Sequence, residues 1–475
     1  MTRTDPGVRE ASARRLLGYL RVSGPVRAGM RGGEAAGSPV DGMAMAVDQA
    51  LYRRTVLANG LTVITEPMDH VRTVALGVWV AAGSRFEDVP RNGVSHFIEH
   101  ILFKGTATRS ALAIAEAMDA IGGQLNAFTD KEQTCYYLRV ISEHLEEGLG
   151  VLADMLLHPA IDAEALERER QVLAEEIKMY EDAPDDLVHD VFAETLWPGH
   201  PLGRPVSGTL VTLAGLRRDD LRAYMAGRYR PDAVLVTAAG LLEHDQIVGL
   251  VERALGPWAG RATPSVHLPP DPQRATAYRS KEIEQVHVCL GVPGLRQAHP
   301  DRYALAVLDS ALGSGMSSRL FQEIREERGL AYAISSYQMA FSDAGAFAVY
   351  AAASPLAARE VIRLTLDGLV RAREGLTADE VSRAKESLKG SLMLGLETPG
   401  SRMSKLARSE IYFGRQITLD EILADVAAVR GEDVQRLAEE LLVLDRLALA
   451  AIGPFDQQPG LAGTIDEEVR AHDDA

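Results

Sequence analysis

The residue types best suited to catalysis lie together in one pentapeptide, His96-Phe97-Ile98-Glu99-His100. On an α-helix, residues four positions apart lie on the same face, one turn from each other. His96 and His100 could therefore share one zinc ion, a metal that commonly binds imidazole nitrogen. Glu99 would lie near the same face, where its carboxylate could take a proton from a water molecule. The alternative is a surface helix on which the two histidines have no common task.

The order His-x-x-Glu-His occurs among the signatures of zinc peptidases. A catalytic zinc ion usually has three protein ligands and an open fourth position, so a third ligand must come from elsewhere in the chain. The helix predicted over residues 162–180 offers Glu169 and Glu176, which are seven residues apart and close to its apolar face. Burying a carboxylate against a hydrophobic core costs folding free energy unless the carboxylate is paired or binds a metal. A solvated, glutamate-rich helix is the alternative, and the spacing alone leaves it open.

The elements that must position these residues alternate between strands and helices. Apolar runs bounded by Gly or Asn-Gly predict strands, whereas apolar residues spaced by three or four predict helices. The predicted strands are two short segments around Asn59-Gly60, a buried run over 71–82, and residues 125–129 and 133–140. The predicted helices near them cover residues 111–121 and 143–157.

A strand followed by two helices recurs in the second half of the chain, where Ala378 aligns with Ala163 at an offset of 215. A proline-rich stretch typical of a linker lies between the copies. We therefore expect two homologous α+β domains. Only the first can hold the metal, because the second has no His-x-x-Glu-His and has Ala384 and Ser391 in place of the two glutamates. The expected parts are an N-terminal extension without a fold at 1–48, a metal-binding domain at 49–256, a linker at 257–280, a metal-free domain at 281–455 and a disordered acidic tail at 456–475.

Composition narrows the class of protein further. The net charge of −17, from 50 Lys and Arg against 67 Asp and Glu, argues against nucleic-acid binding, which needs a basic surface. No apolar run approaches the roughly 18 residues of a membrane span. Cys135 and Cys289 suggest no disulfide framework, so a reducing compartment is expected. The Arg-, Ala- and Gly-rich composition favours a bacterium, and we expect the cytoplasm, with the mitochondrial matrix as the alternative.

Over residues 51–454, the sequence resembles the pitrilysin and mitochondrial processing peptidase family of zinc metallopeptidases. Within that family it is similar to a bacterial processing-peptidase branch that is like the β-subunit. The resemblance rests on the pentapeptide, on a glutamate 76 positions after its second histidine, and on the segments 102–106, 122–129 and 200–205.

The resemblance implies a fold and a reaction. The fold is α+β, with two homologous domains that each contain a mixed, mostly antiparallel sheet packed with helices. One Zn²⁺ ion per chain would be bound by His96, His100 and Glu176, with Glu99 as the general base and Glu169 orienting a ligand. The implied reaction is hydrolysis of peptide bonds in unfolded or presequence-like peptides.

Further roles are implied for residues outside the metal site. The substrate is expected to bind as an extended strand along an edge strand that includes Asn126, Ala127 and Phe128. Asp186 and Asp190, ten and fourteen residues past the third ligand, are expected to bind an arginine just upstream of the scissile bond. The alternative for this pair is a solvated acidic turn at a helix N-terminus, which the helix dipole favours.

Arg325 and Tyr332, in the metal-free half, resemble family residues that contact the substrate and the tetrahedral intermediate. Taken alone, Arg325 is compatible with one cation on a charged amphipathic helix. Each chain has one metal domain and one metal-free domain, so we expect a homodimer, or a pair with a homologous partner subunit, around an enclosed chamber. The alternative function is a non-catalytic core or scaffold subunit, or one partner of a heterodimeric peptidase.

Overall fold

The computed structural model describes residues 52–262 and 267–472. The expected N-terminal extension at 1–48 lies outside these residues, as do four residues of the expected linker. Two sheets, each with its own helices, confirm the prediction of two homologous α+β domains. Within the described ranges, no helix is both long enough and apolar enough to cross a lipid bilayer.

The first domain, which is the expected metal-binding domain, contains a six-stranded sheet and eight α-helices among the described residues. Its strands are β1 (Arg53–Val56), β2 (Thr62–Pro67), β3 (Thr73–Val80), β4 (Gln124–Thr129), β5 (Thr134–Ile141) and β6 (Val234–Gly240). Its helices are α1 (Val94–Leu102), α2 (Ala111–Ala120), α3 (Leu145–Leu157), α4 (Ala163–Asp182), α5 (Pro184–Leu196), α6 (Leu210–Gly215), α7 (Arg218–Arg228) and α8 (His244–Leu255). The strand order is β1-β2-β6-β3-β5-β4, and only β2 and β6 are parallel neighbours.

The second domain, which is the expected metal-free domain, repeats this arrangement, but its described residues form no equivalent of β1. Its strands are β7 (Ala275–Ser280), β8 (Val286–Pro293), β9 (Ala331–Ala340), β10 (Gly345–Ala353) and β11 (Ala448–Gly453), in the order β7-β11-β8-β10-β9. Again one neighbouring pair, β7 and β11, is parallel. Its helices are α9 (Arg302–Asp309), α10 (Pro355–Arg373), α11 (Ala378–Gly395), α12 (Pro399–Phe413), α13 (Leu419–Ala428), α14 (Gly431–Leu441) and α15 (Gly460–Ala471), with π-helical turns at Ser310–Ser314 and Phe321–Glu327.

Two expectations about the domain boundaries are corrected by these elements. The last part of the expected linker forms β7, which pairs with β11 as β2 pairs with β6. The expected disorder of the acidic tail is wrong for residues 460–471, which form α15 and bury Leu461, Ile465 and Val469 in the second core. The four-residue spacing of these apolar side chains outweighs the acidity of the segment. One of its acids, Glu468, is also buried and paired with Arg359 at 2.9 Å.

Each sheet is covered on one face by a helix from the other domain. Helix α5 buries Phe192 against the second sheet, and α12 buries Met403 against Trp79 of the first sheet. The two helices begin at Pro184 and Pro399, which are 215 residues apart, so the exchange follows the internal repeat. Each sheet therefore packs on the main core of its own domain with one face and on a smaller cluster shared by both domains with the other. The two shared clusters interlock the domains.

A buried cluster of ion pairs also joins the domains, and we call it the interdomain clasp: Arg85, Glu132, Ser342 and Asp343. The Arg85 guanidinium is 2% exposed and donates to Glu132 at 2.8 Å and to Asp343 at 2.5 Å. The Ser342 amide donates to Glu132 at 3.0 Å. A buried charge needs partners, so the clasp fixes the turn between β9 and β10 against the turn between β4 and β5.

Candidate metal centre

Helix α1, which carries the pentapeptide, is held at its N-terminus by a buried carboxylate. Gly93 precedes the helix with φ of +97°, and a side chain there would collide with the Ser207 carbonyl. Glu87 accepts hydrogen bonds from the amides of Gly93 and Ser95, at 2.7 and 2.8 Å. The Asn92 side chain donates to the same carboxylate at 2.9 Å. Burial raises the pKa of Glu87 above its ordinary value, and these hydrogen bonds oppose the rise.

Sequence reasoning missed Glu87 as the residue that caps α1. Helix caps are normally sought within three residues of the first turn, and Glu87 lies six residues before Gly93. The Asn92-Gly93 pair was the available signal, because such a pair marks a turn next to a regular element. The pair shows where the helix can start, but it does not identify the acid that binds the free amides of the first turn.

Helix α1 brings the three polar residues of the pentapeptide together. The imidazole rings of His96 and His100 are 4.7 Å apart between centroids and inclined at 76°. His96 and Glu99 are buried, whereas His100 is half-buried. The hydroxyl of Thr129, the last residue of β4, donates to Glu99 Oε2 at 2.7 Å.

Helix α4 brings both glutamates of the sequence analysis to these histidines. Glu176 Oε1 lies 3.8 Å from His96 Nε2, and Glu176 Oε2 lies 3.5 Å from His100 Nε2. Glu169 accepts a hydrogen bond from His100 Nδ1 at 2.8 Å and contacts Lys104 Nζ at 2.8 Å. Burial alone would raise the pKa of Glu169, but the hydrogen bonds from His100 and Lys104 hold it below its ordinary value. These contacts disfavour the alternative of a fully solvated helix.

The donor atoms of this cluster suit a zinc ion. One nitrogen from each of His96 and His100 and one oxygen of Glu176 all lie within 4.8 Å of one another. Donors that share a tetrahedral zinc ion at about 2.0–2.1 Å are roughly 3.3–3.4 Å apart, which is close to the 3.5 and 3.8 Å found here. An ionised carboxylate can only accept, so His100 donates from Nδ1. In a neutral imidazole, Nε2 is then the nitrogen with a lone pair for a metal. Two imidazoles and one carboxylate form a donor set known from catalytic zinc sites.

Strand β4 offers an open edge beside this cluster. It pairs with β5 alone among the described strands, and α1 packs against both β4 and α4. Asn126 is exposed and Ala127 is buried, whereas Phe128 is half-buried and packs edge-on against Trp79 at 5.6 Å. An open edge strand can bind an extended peptide through main-chain hydrogen bonds.

Asp186 and Asp190 lie one turn apart in α5, and both are half-buried. Burial, together with the negative charges of Asp185 and Asp190, raises the pKa of Asp186 to about 6. Burial lowers the pKa of Lys131 below its ordinary value, and the charge of Asp190 opposes this effect. The partial burial of both acids disfavours the alternative of a solvated acidic turn.

Arg325 and Tyr332 lie in the metal-free domain, next to each other. The Arg325 guanidinium lies over the rings of Phe321 and Tyr332, at 4.8 and 5.7 Å from their centroids. Its nearest carboxylate is that of Glu326, at 3.9 Å. Tyr332 is 77% exposed. The contacts found within the described part of the chain therefore leave this pair on the surface and do not bring it to the histidines of α1.

The fold and the cluster of two histidines and a glutamate are those of a metallopeptidase. Residues 62–210 match the family described as insulinase, peptidase family M16, and residues 215–388 match the peptidase M16 inactive domain. The chain belongs to peptidase family M16, the insulinase- and pitrilysin-like zinc proteases. The resemblance to the pitrilysin family is thereby confirmed, and the family description of the second half as inactive agrees with a metal site in the first half alone.

Relatives with similar sequences carry zinc protease names. The chain is 44% identical over 412 residues to the uncharacterized zinc protease YmxG of Bacillus subtilis, covering 86% of this chain and 100% of that protein. It is 43% identical to the uncharacterized zinc protease SCO5738 of Streptomyces coelicolor, covering 85% of this chain and 90% of that protein.

Solved structures share the fold at lower identity. A peptidase M16 inactive domain from Pseudomonas fluorescens has a TM-score of 0.80 at 21% identity, covering 85% of this chain and 98% of that chain. A protease from Helicobacter pylori has a TM-score of 0.78 at 22% identity, covering 85% and 99%. A chain of complex III2 from Candida albicans has a TM-score of 0.75 at 20% identity, covering 88% and 99%.

Proposed function

We propose that this protein is a zinc-dependent endopeptidase that cuts unfolded or presequence-like peptides. The observation that carries the proposal is the convergence of His96, His100 and Glu176, with Glu99 on the same helix as the histidines. Since the described residues contain one such cluster, we assign one zinc ion to each chain. Cys135 is free and buried, as is the other cysteine, which is compatible with the reducing bacterial cytoplasm that we propose as its location.

The chain's own residues have distinct tasks in the proposed reaction. Bound zinc would polarise the scissile carbonyl and make water a better nucleophile at neutral pH. Glu99 takes a proton from the attacking water and delivers it to the departing amine. Glu169 holds His100 in the tautomer whose Nε2 can act as a ligand. The edge of β4 aligns the main chain of the substrate, so selectivity must come from side-chain pockets.

Asp186 and Asp190 are proposed to bind an arginine two residues before the scissile bond. The planar guanidinium forms parallel hydrogen bonds with carboxylates, and these two acids are neighbours on one face of α5. Lys131 already balances part of the charge of Asp190. Burial and the charges of Asp185 and Asp190 disfavour the ionised form of Asp186, so a bound cation should stabilise this carboxylate more than Asp190.

Arg325 and Tyr332 are proposed to serve the metal site of a second subunit, in a homodimer or with a homologous partner. Their exposure supports this role, because a pair that acted on the metal site of its own chain would have to leave its present contacts. The Tyr332 hydroxyl could donate to the developing oxyanion of the substrate. Two subunits would then enclose the substrate in one chamber.

A second candidate is a non-catalytic core or scaffold subunit. The observation that favours it is the shared fold with a chain of complex III2 from Candida albicans. The peptidase is supported instead by the complete set of catalytic and ligand candidates: His96, Glu99, His100 and Glu176. A purely structural role does not require a buried acid next to two imidazoles. Absence of both zinc and peptidase activity in the purified protein would favour the scaffold.

The central experiment separates metal binding from chemistry. Glu99→Gln should keep about one zinc ion per chain and lose peptidase activity, because Glu99 is assigned as the base and not as a ligand. His100→Ala and Glu176→Ala should lose both zinc and activity. Glu175→Gln, which changes an exposed acid on α4, is the matched control and should lose neither. Equal loss of zinc in Glu99→Gln and Glu176→Ala would contradict the assignment of roles.

Complementation between variants tests the shared site. Glu99→Gln and Arg325→Ala should each be weakly active or inactive alone. When they are refolded together in equal amounts, about half of the dimers should be mixed, and each mixed dimer should have one intact site. Because independent sites add, activity should return to roughly a quarter of the wild-type value. No recovery despite proven subunit exchange would exclude the shared site.

A further inference from the structure

The general-base candidate is held by a strand that belongs to the proposed substrate platform. The Thr129 hydroxyl donates to Glu99 Oε2 at 2.7 Å, an ordinary distance for a hydrogen bond between two oxygens. Both side chains are buried. Thr129 is the last residue of β4, directly after Asn126, Ala127 and Phe128.

The Thr129 hydroxyl is the donor in this hydrogen bond, and Glu99 Oε2 accepts. This direction suits the proposed base, because a carboxylate that is to take up a proton has none to donate. A hydrogen bond to one oxygen limits rotation about the last torsion of Glu99, a torsion that is otherwise broad. The plane of the carboxylate, and with it the direction of both oxygens, is therefore set by β4.

We propose that Thr129 is a positioning residue that aligns the Glu99 carboxylate with a peptide bound along β4. This inference rests on the proposed function, because it takes Glu99 as the base. Since the Thr129 side chain belongs to the same strand that would pair with the substrate, the base and the scissile bond are placed by one rigid element. A displacement of either relative to the other would lower the rate without weakening substrate binding.

The test is a set of variants measured for zinc content, peptide affinity, kcat and KM. Thr129→Val keeps the shape and β-branching of the side chain but removes the hydroxyl. We expect full zinc content, KM within about twofold of wild type, and kcat lowered roughly 10- to 100-fold, since a lost hydrogen bond to a buried charged group has that range of effect. Thr129→Ser keeps the hydroxyl and should restore most of kcat.

A matched control is available in the same sheet. Thr65 is also a buried strand threonine, and its hydroxyl contacts His244 Nδ1 at 2.8 Å, outside the metal site. Thr65→Val should lower the melting temperature as Thr129→Val does, yet leave kcat unchanged. In the Glu99→Gln background, Thr129→Val should leave the dissociation constant of the substrate peptide within about twofold, measured by calorimetry.

The outcomes separate this inference from the proposed function. If Glu99→Gln is fully active, Glu99 is not the base, and the positioning role of Thr129 is refuted together with the proposed function. If Glu99→Gln is inactive and zinc-loaded while Thr129→Val keeps wild-type kcat, only the positioning role is refuted. Loss of zinc or of peptide binding in Thr129→Val, or failure of Thr129→Ser to restore kcat, would also overturn it.

Discussion

Replacing Asp186 by Asn should make the protein more stable and less selective at the same time. Burial, aided by the charges of Asp185 and Asp190, raises the pKa of Asp186 to about 6. A raised pKa means that the folded protein holds this proton more tightly than the unfolded chain does. Ionised Asp186 therefore opposes folding above about pH 6, and this cost fades as the pH falls towards 4.

The size of the effect follows from the pKa. A rise from 3.8 to about 6 corresponds to roughly 3 kcal/mol at full effect. Asp186 is only partly buried, so solvent screening reduces the cost to about 1–2 kcal/mol. Asp186→Asn should then raise the melting temperature of the zinc-loaded protein by about 1–2 °C at pH 8, because the entropy of unfolding of so long a chain is large. The gain should be roughly half as large at pH 5, because Asp186 is then mostly protonated in the folded protein.

The loss of selectivity is measured with paired peptides that carry arginine or norleucine two residues before the cut. Asp186→Asn should lower kcat/KM for the arginine peptide about 10- to 100-fold, because a charge-assisted hydrogen bond is lost. The norleucine peptide should be cut as before. Glu181→Gln, which changes an exposed acid five residues earlier, should alter neither property. An equal stability gain at pH 5 and pH 8 would refute the ionisation argument, and an unchanged arginine preference would remove Asp186 from the substrate site.

Two further predictions concern the residues that hold the site in place. Glu87→Gln should weaken zinc binding about tenfold in a chelator competition assay, because a lost helix cap is worth about 1 kcal/mol or more and α1 carries two of the proposed ligands. Glu132→Gln should lower the free energy of unfolding by about 3 kcal/mol in urea, since Arg85 would remain buried with Asp343 as its one carboxylate. Arg54→Ala, which breaks an exposed interdomain pair, should cost less than about 1 kcal/mol; an equal cost would contradict the role of the clasp.

The parts of the site that the sequence predicts are those fixed by helical periodicity. His96 and His100 are four residues apart, and Glu169 and Glu176 are seven apart, so each pair must share a face wherever its helix lies. The internal offset of 215 also predicts that the second domain repeats the first. The same offset carries α8 onto α15, so the repeat predicts the tail helix, whereas the local acidity of the segment favours disorder.

The parts that the sequence does not predict depend on contacts between distant segments. Thr129 reaches Glu99 because β4 and α1 pack together, and no local pattern marks a threonine for that task. Arg85 looks like an ordinary surface cation until the turn between β9 and β10 covers it. The sequence does not predict the exchange of α5 and α12 either, because the pattern of an amphipathic helix does not show which sheet its apolar face will cover.

That exchange gives the metal-free domain a task in the proposed chemistry. Helix α5 presents Asp186 and Asp190, but its apolar side chains, among them Val188 and Phe192, are buried against the second sheet. The position of the proposed arginine site is therefore set by the domain that has no metal ligands. Removing that domain would expose the apolar face of α5 and release the two acids from their place. Under the proposed function, the metal-free half is therefore needed to build the specificity of the metal-binding half, whether or not a second subunit completes the site.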